Sequence, residues 1–104
     1  MPNFMFVYHG GEKPASPEAG AEMMNNWKAW ISSLGDSLTD AGNPVGQSNT
    51  VTADSVVDNG GSNPISGYTI VSADNLADAI EIAKNCPHAS HGSIEVAQIM
   101  EMMG

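Results

Sequence analysis

Apolar and polar positions fall into five patterned stretches along the chain. Asn3 to Tyr8 reads NFMFVY. After one polar residue it is apolar on both faces and rich in aromatics, which predicts a buried central strand ended by His9-Gly10-Gly11. Ser16-Pro17-Glu18 supplies a hydroxyl N-cap, a proline at the first helical position and an acid in the first turn. Beyond it Met24, Trp27, Ile31 and Leu34 recur at near-helical spacing, and Met23 and Trp30 widen the stripe. Gly35 stands where a glycine ends a helix, so a helix is predicted over residues 17–34. Gly67 to Ala73 reads as a second strand, with Tyr68, Ile70 and Ser72 on one face and Thr69, Val71 and Ala73 on the other. Asp74 can cap a second helix. Its apolar stripe is Leu76, Ala79, Ile80 and Ala83, and it ends before Pro87, which holds Cys86 extended. Ser93 to Met100 forms the last strand, with Ile94, Val96, Gln98 and Met100 opposite Glu95, Ala97 and Ile99.

Residues 35–67 are rich in Gly, Asn, Ser and Asp. Short strands are predicted around Ser48 to Thr52 and Ser55 to Val57, and Asp58-Asn59-Gly60-Gly61 is a turn signal. The halves of the chain rhyme: strand, capped helix, strand, twice. That order is the ferredoxin-like βαββαβ pattern, an α+β fold whose two helices cover one face of an antiparallel sheet. The other face must be buried elsewhere, and the sheet of a second copy is the simplest cover.

Composition narrows the partners. One domain is expected from 104 residues. A chain of that size buries only around two-thirds of its unfolded surface, so dimerisation would add needed stability. Twelve acidic residues face three basic ones (Lys13, Lys28 and Lys84), and the net charge is −9 with no arginine. Such a charge repels phosphate backbones and anionic membranes, so neither nucleic acid nor membrane is an expected partner. An anionic substrate would lack the arginine fork that usually binds it. Cys86 is the only cysteine, which rules out an intrachain disulfide and fits a reducing, cytoplasmic setting. No apolar stretch reaches a membrane span, and Met1 to Tyr8 lacks the basic n-region and cleavage site of a signal peptide.

The opening FMFVYHGG, the helix carrying Trp27 and Trp30, and the runs LGDSLTDAGNPVG, SGYTIVSADNLADAIEIAKNCP and GSIEVAQIM together resemble the YCII-related family, also called the DGPF-domain family. The resemblance spans nearly the whole chain, 1–104. It implies a ferredoxin-like fold, a dimeric α+β barrel and an active site between facing sheets. The wider fold group includes small isomerases, monooxygenases and chlorite-dismutase-like proteins. Some family members accompany extracytoplasmic-function sigma factors, which implies regulation. The chain departs from the family where relatives often carry DGPF, reading NGGSNPI over Asn59 to Ile65, and where relatives often carry Arg in the last strand, here Ala97. Better-known members are linked to a His–Asp pair. The positions here that the resemblance brings to mind are His9 with Asp36 or Asp40.

His9, at a strand end before Gly-Gly, is the leading candidate for proton transfer, against a plain surface histidine at a turn. Glu95 lies between Ile94 and Val96; if those face the helices, Glu95 faces the barrel interior, where desolvation would raise its pKa. It reads either as a general base or as a structural carboxylate at a dimer interface. Tyr8 and Tyr68 are candidates to bring hydroxyls to the same cavity. Trp27 and Trp30 read first as helix core and second as a stacking platform, with Trp27 the ligand-contacting candidate. Asn43 and Asn63, each before proline, read as turn formers. Cys86-Pro87-His88 with His91 lacks the remaining ligands of a closed zinc site, and a helix C-terminus disfavours a reactive thiolate. Met100, Met102 and Met103 read as interface packing. No phosphate loop, dinucleotide fingerprint or Ser-His-Asp order occurs, so no cofactor is expected. Two functions remain. One is a small cofactor-independent enzyme, with His9 and Glu95 moving protons on a small, largely apolar carbonyl or lactone compound. The other is a non-enzymatic ligand-binding or regulatory module.

Overall fold

The computed structural model describes residues 1–11, 15–58 and 64–100. Strand β1 (Asn3–Gly10) is followed by helix α1 (Pro17–Leu34), a short 3-10 turn, and strand β2 (Leu38–Asp40). Strands β3 (Asn49–Val51) and β4 (Val56–Asp58) form a separate two-stranded hairpin. Strand β5 (Ile65–Ser72), helix α2 (Leu76–Lys84), a second 3-10 turn (Pro87–Ser90) and strand β6 (Gly92–Gln98) complete the chain. The main sheet runs β2-β5-β1-β6 and is antiparallel throughout. Two helices cover one face, so the architecture is ferredoxin-like α+β.

The helix ends follow local chemistry. The Ser16 hydroxyl accepts from the Ala19 amide at 3.1 Å, and Gly35 leaves α1 at a φ of 53°. Asn75 caps α2, accepting from the Asp78 amide at 2.9 Å; the cap expected at Asp74 thus falls one residue later. Alternation along β1 puts Phe4, Phe6 and Tyr8 under the helices, with both phenylalanines fully buried. Trp30, Val71, Ala73, Ala79, Ala83 and Cys86 complete the core, and Trp27, Ile31, Leu34, Ile82, Ile94 and Val96 pack around it. Met24, Leu76 and Ile80 belong to the expected stripes but are exposed, because α1 turns its Trp27–Trp30 edge to the sheet and α2 buries its alanines.

The second sheet strand is the main departure from expectation. Leu38–Asp40, not residues 48–57, pairs with β5, with Leu38 opposite Val71. The expected strands near 48–52 and 55–57 do form, but only with each other, and Val51, Val56 and Val57 remain exposed. The turn at Asn59 to Gly61, Asn63, Met102 and Met103 lie outside the described residues; Met100 is exposed beyond the end of β6.

Candidate functional site

Strand β1 carries chemistry on both faces at its C-terminal end. On the face away from the helices, His9 Nε2 donates to Glu95 Oε1 at 3.0 Å. The register explains the pairing: Val7 lies opposite Glu95 and His9 opposite Ser93, so the two side chains are diagonal neighbours on one face. The strand runs to Gly10, so His9 sits inside it rather than past its end. Its side chain is 15% exposed and that of Glu95 72%. The burial of Glu95 expected from the sequence is therefore absent in a single chain, because β6 is an edge strand. At the opposite end of this face, the Ser72 and Thr39 hydroxyls donate to Asn3 Oδ1 at 2.9 and 3.2 Å. Met5, Val7 and Ile70, half-buried, lie between these polar ends.

The helix-facing side holds a cavity of about 330 Å³ between α1, β5 and the segment after β2. Tyr8, Trp27 and His88 supply its rings, and Tyr68 borders it from β5. They continue an aromatic chain: Tyr8 meets Trp27 edge-on at 5.3 Å between ring centroids, Trp27 meets Trp30 at 5.5 Å, and Tyr8 meets His88 at 5.1 Å. The space exists partly because Gly67, paired opposite Tyr8, has no side chain. A β-bulge beside Tyr8 and His9 inserts Ser66 into β5. The segment after β2 runs on alongside β5, where Val45 N donates to Ser66 O at 3.1 Å and Pro44 bridges Gly67. It forms the wall opposite Trp27.

Two polar groups on this wall stand out. The Ser66 hydroxyl oxygen is buried and has no hydrogen-bond partner among the described residues. Leaving a buried hydroxyl unpaired costs about 1–3 kcal/mol, a local cost that the rest of the fold carries. His88, 5% exposed, has Nε2 at 2.9 Å from the His9 carbonyl oxygen. A carbonyl only accepts, so Nε2 carries the proton.

The Tyr8 hydroxyl, by contrast, is used inside the protein. It donates to Thr69 Oγ1 at 2.7 Å, Thr69 donates on to the Ala41 carbonyl at 3.1 Å, and the Cys86 thiol donates to Tyr8 at 4.0 Å. Burial pushes the Tyr8 phenol well above its ordinary range, only partly offset by the Thr69 bond. Burial likewise pushes the Cys86 thiol up; desolvation rather than the helix end keeps it protonated.

The sequence candidates therefore divide three ways. His9 and Glu95 pair on the uncovered face. Tyr8 and Trp27 line the cavity on the other side, so Tyr8 does not join His9 in one cavity: odd and even residues of a strand point to opposite faces. Tyr68 borders that cavity, but its place opposite Val7 puts it on the sheet face of His9 and Glu95. Asp36 joins neither. It precedes β2, whose Leu38 aligns through Val71 with Phe4, five residues up β1 from His9 and so roughly 16 Å away along the strand. Ser66 was missed, and His88 was weighed only as a metal ligand beside Cys86 and His91. His88 carries no motif beyond its place after Cys-Pro, and Ser66 gains its position from a bulge that no sequence pattern announced.

No curated protein sequence matches the chain significantly. Among solved structures, 5-chloro-2-hydroxyhydroquinone dehydrochlorinase (TftG) from Burkholderia phenoliruptrix AC1100, in complex with 2,5-dihydroxybenzoquinone, matches with a TM-score of 0.57 at 16% identity, covering 95% of each chain. At that identity the likeness speaks for the shared fold. The model of the YCII-related domain matches residues 5–103. Sequence order, sheet topology and this near-complete match agree, and the chain belongs to the YCII-related family.

Proposed function

We propose that the chain is a small-molecule enzyme that binds a neutral, planar, hydroxyl- or carbonyl-bearing ring in the aromatic cavity and moves protons on it without a cofactor. The observation that carries this reading is the ring-lined cavity itself, with Tyr8, Trp27 and His88 packed edge to edge along it. An apolar cavity of about 150 Å³ takes benzene, so about 330 Å³ accommodates one substituted ring. Ring edges and faces favour a flat ligand. The net charge of −9 and the absence of arginine favour a neutral one. The structural neighbour's 2,5-dihydroxybenzoquinone is a ring of this size.

Calorimetric titration with hydroquinone, resorcinol and phloroglucinol, all neutral at pH 7, tests the site. At least one ring is expected to bind, and Trp27→Ala to weaken it about tenfold, the effect of losing an aromatic contact of roughly 1.4 kcal/mol. A Trp27→Ala protein that binds as tightly as the wild type contradicts the cavity assignment. Binding without turnover of any ring identifies a ligand-binding module instead.

The His9–Glu95 pair favours a second reading for the uncovered face. There, the facing sheet of a second copy closes a cavity and desolvates the pair. The half-buried Met5, Val7 and Ile70 strip between polar ends supports such a homodimer. Sedimentation at micromolar concentration is expected to give a dimer, and a stable monomer excludes it. Glu95→Gln separates the two readings. Unchanged turnover of a bound ring leaves the aromatic cavity as the site, whereas its loss moves the chemistry to the uncovered face.

A further inference from the structure

We propose that His88 is the catalytic base of the aromatic cavity, acting through Nδ1 on a ring hydroxyl, with the His9 backbone carbonyl as its positioning group. This rests on the cavity reading above and adds to it the atom that takes the proton. The argument starts from the hydrogen bond of 2.9 Å between His88 Nε2 and the His9 carbonyl oxygen. Because the carbonyl cannot donate, the neutral ring has its proton on Nε2 and its lone pair on Nδ1. The same bond holds the ring in one orientation, as the partner of a catalytic histidine must.

The chain around His88 is shaped to permit this bond. A Cβ on Gly92 would lie 2.3 Å from His88 Nε2 and 2.7 Å from the His9 carbonyl oxygen. Only glycine lets the imidazole reach the end of β1. Pro87 starts the turn that carries His88, and Tyr8 and His91 contact the imidazole on either side, each at 5.1 Å between centroids. The result is a buried histidine with one nitrogen committed to the protein, on the wall of a cavity where the neighbouring phenol is held neutral and its proton already donated.

The proton inventory closes without a co-reactant. His88 Nδ1 takes the proton from a ring hydroxyl, and the oxygen's electron pair forms the carbonyl. The ring's π electrons move to the adjacent carbon, which takes the proton back from Nδ1–H. The net reaction is enol-to-keto tautomerisation of a hydroxylated ring, reversible by the same path. The substrate class is therefore a neutral polyhydroxylated aromatic or its cyclic ketone tautomer.

Phloroglucinol is the probe, because its ring protons exchange with deuterium through the keto tautomer and proton NMR follows their loss. The wild-type protein is expected to accelerate this exchange, and nitrogen NMR of labelled protein to report His88 as the Nε2–H tautomer with an Nδ1 signal that moves on addition of phloroglucinol. His88→Gln keeps a donor for the His9 carbonyl and removes the base. It is expected to bind phloroglucinol within about threefold of the wild type and to lose exchange by about a hundredfold or more. Binding with undiminished exchange in His88→Gln overturns the role of His88 and leaves the cavity reading standing. A wild-type His88 that carries its proton on Nδ1 overturns it too, whether or not the variant folds. Failure of the wild type to bind any of the three rings overturns the cavity reading itself.

Discussion

Replacing Gly42 with alanine is expected to destabilise the protein by about 2–5 kcal/mol and to abolish ring binding in the aromatic cavity. Gly42 has a φ of 73°, a backbone region that costs an L-residue roughly 1–2 kcal/mol. Its missing Cβ would lie 1.7 Å from the Tyr68 carbonyl oxygen and 2.6 Å from the carbonyl carbon. Both obstacles are backbone atoms of a central strand, so the glycine side must move. The segment that moves is the cavity wall. Its position is set by Gly42 N donating to Asp40 Oδ1 at 2.8 Å and by the bonds tying residues 43–45 to β5. Small domains have only about 5–15 kcal/mol of stability, so the loss is a large fraction of the whole. Urea denaturation of Gly42→Ala measures it, with Gly46→Ala as control, since a Cβ at Gly46 meets nothing within 4 Å. A Gly42→Ala midpoint equal to the control's contradicts the close approach.

Stability is expected to fall steeply above about pH 9. Burial raises the Cys86 thiol above its ordinary 9.0 and the Tyr8 phenol above its ordinary 10.0. Unfolding exposes both to water, where they ionise at the ordinary values, while the folded chain keeps both protons. The folded state then binds more protons than the unfolded one, so stability drops as pH rises. Each group contributes up to about 1.4 kcal/mol per pH unit, first Cys86 and then Tyr8, until its folded form titrates. Tyr8→Phe removes the second contribution. At pH 7 it costs about 1 kcal/mol for the lost bond to Thr69, which still donates to the Ala41 carbonyl. Urea melts of both proteins from pH 7 to 11 separate the two terms. A wild-type profile flat across that interval, or a Tyr8→Phe profile as steep as the wild type's, removes Tyr8 from the account.

The alkaline limb also bears on the chemistry. A phenol held neutral and already donating to Thr69 gives the cavity a ring wall rather than a reactive oxygen. That leaves proton transfer to a group such as His88, which the sequence offered only as a metal ligand beside Cys86 and His91.

What the sequence determined by itself is local in origin. Alternation assigned the faces of β5 and β6, while β1, apolar on both faces, gave up its faces only in the structure, where Phe4, Phe6 and Tyr8 turn to the helices. Ser16, Pro17 and Gly35 delimited α1 at residues 17–34, since capping depends on residues within one turn. The βαββαβ order and the bare sheet face follow from those periodicities, while the β1–β6 register puts His9 and Glu95 on one face. Only the tertiary structure decided the rest. Leu38–Asp40 is too short to show a period and becomes a strand because β5 offers it a ladder, while 49–58 pairs with itself. Tyr8 parts from His9 because neighbours on a strand face opposite ways, and Asp36 parts from it because its distance depends on the register of β1 against β5 and of β5 against β2. The aromatic cavity joins α1, a β-bulge and the turn after α2, brought together across up to 80 residues by packing. Contacts of that separation are paid for by the whole core, so no local pattern of residues encodes them.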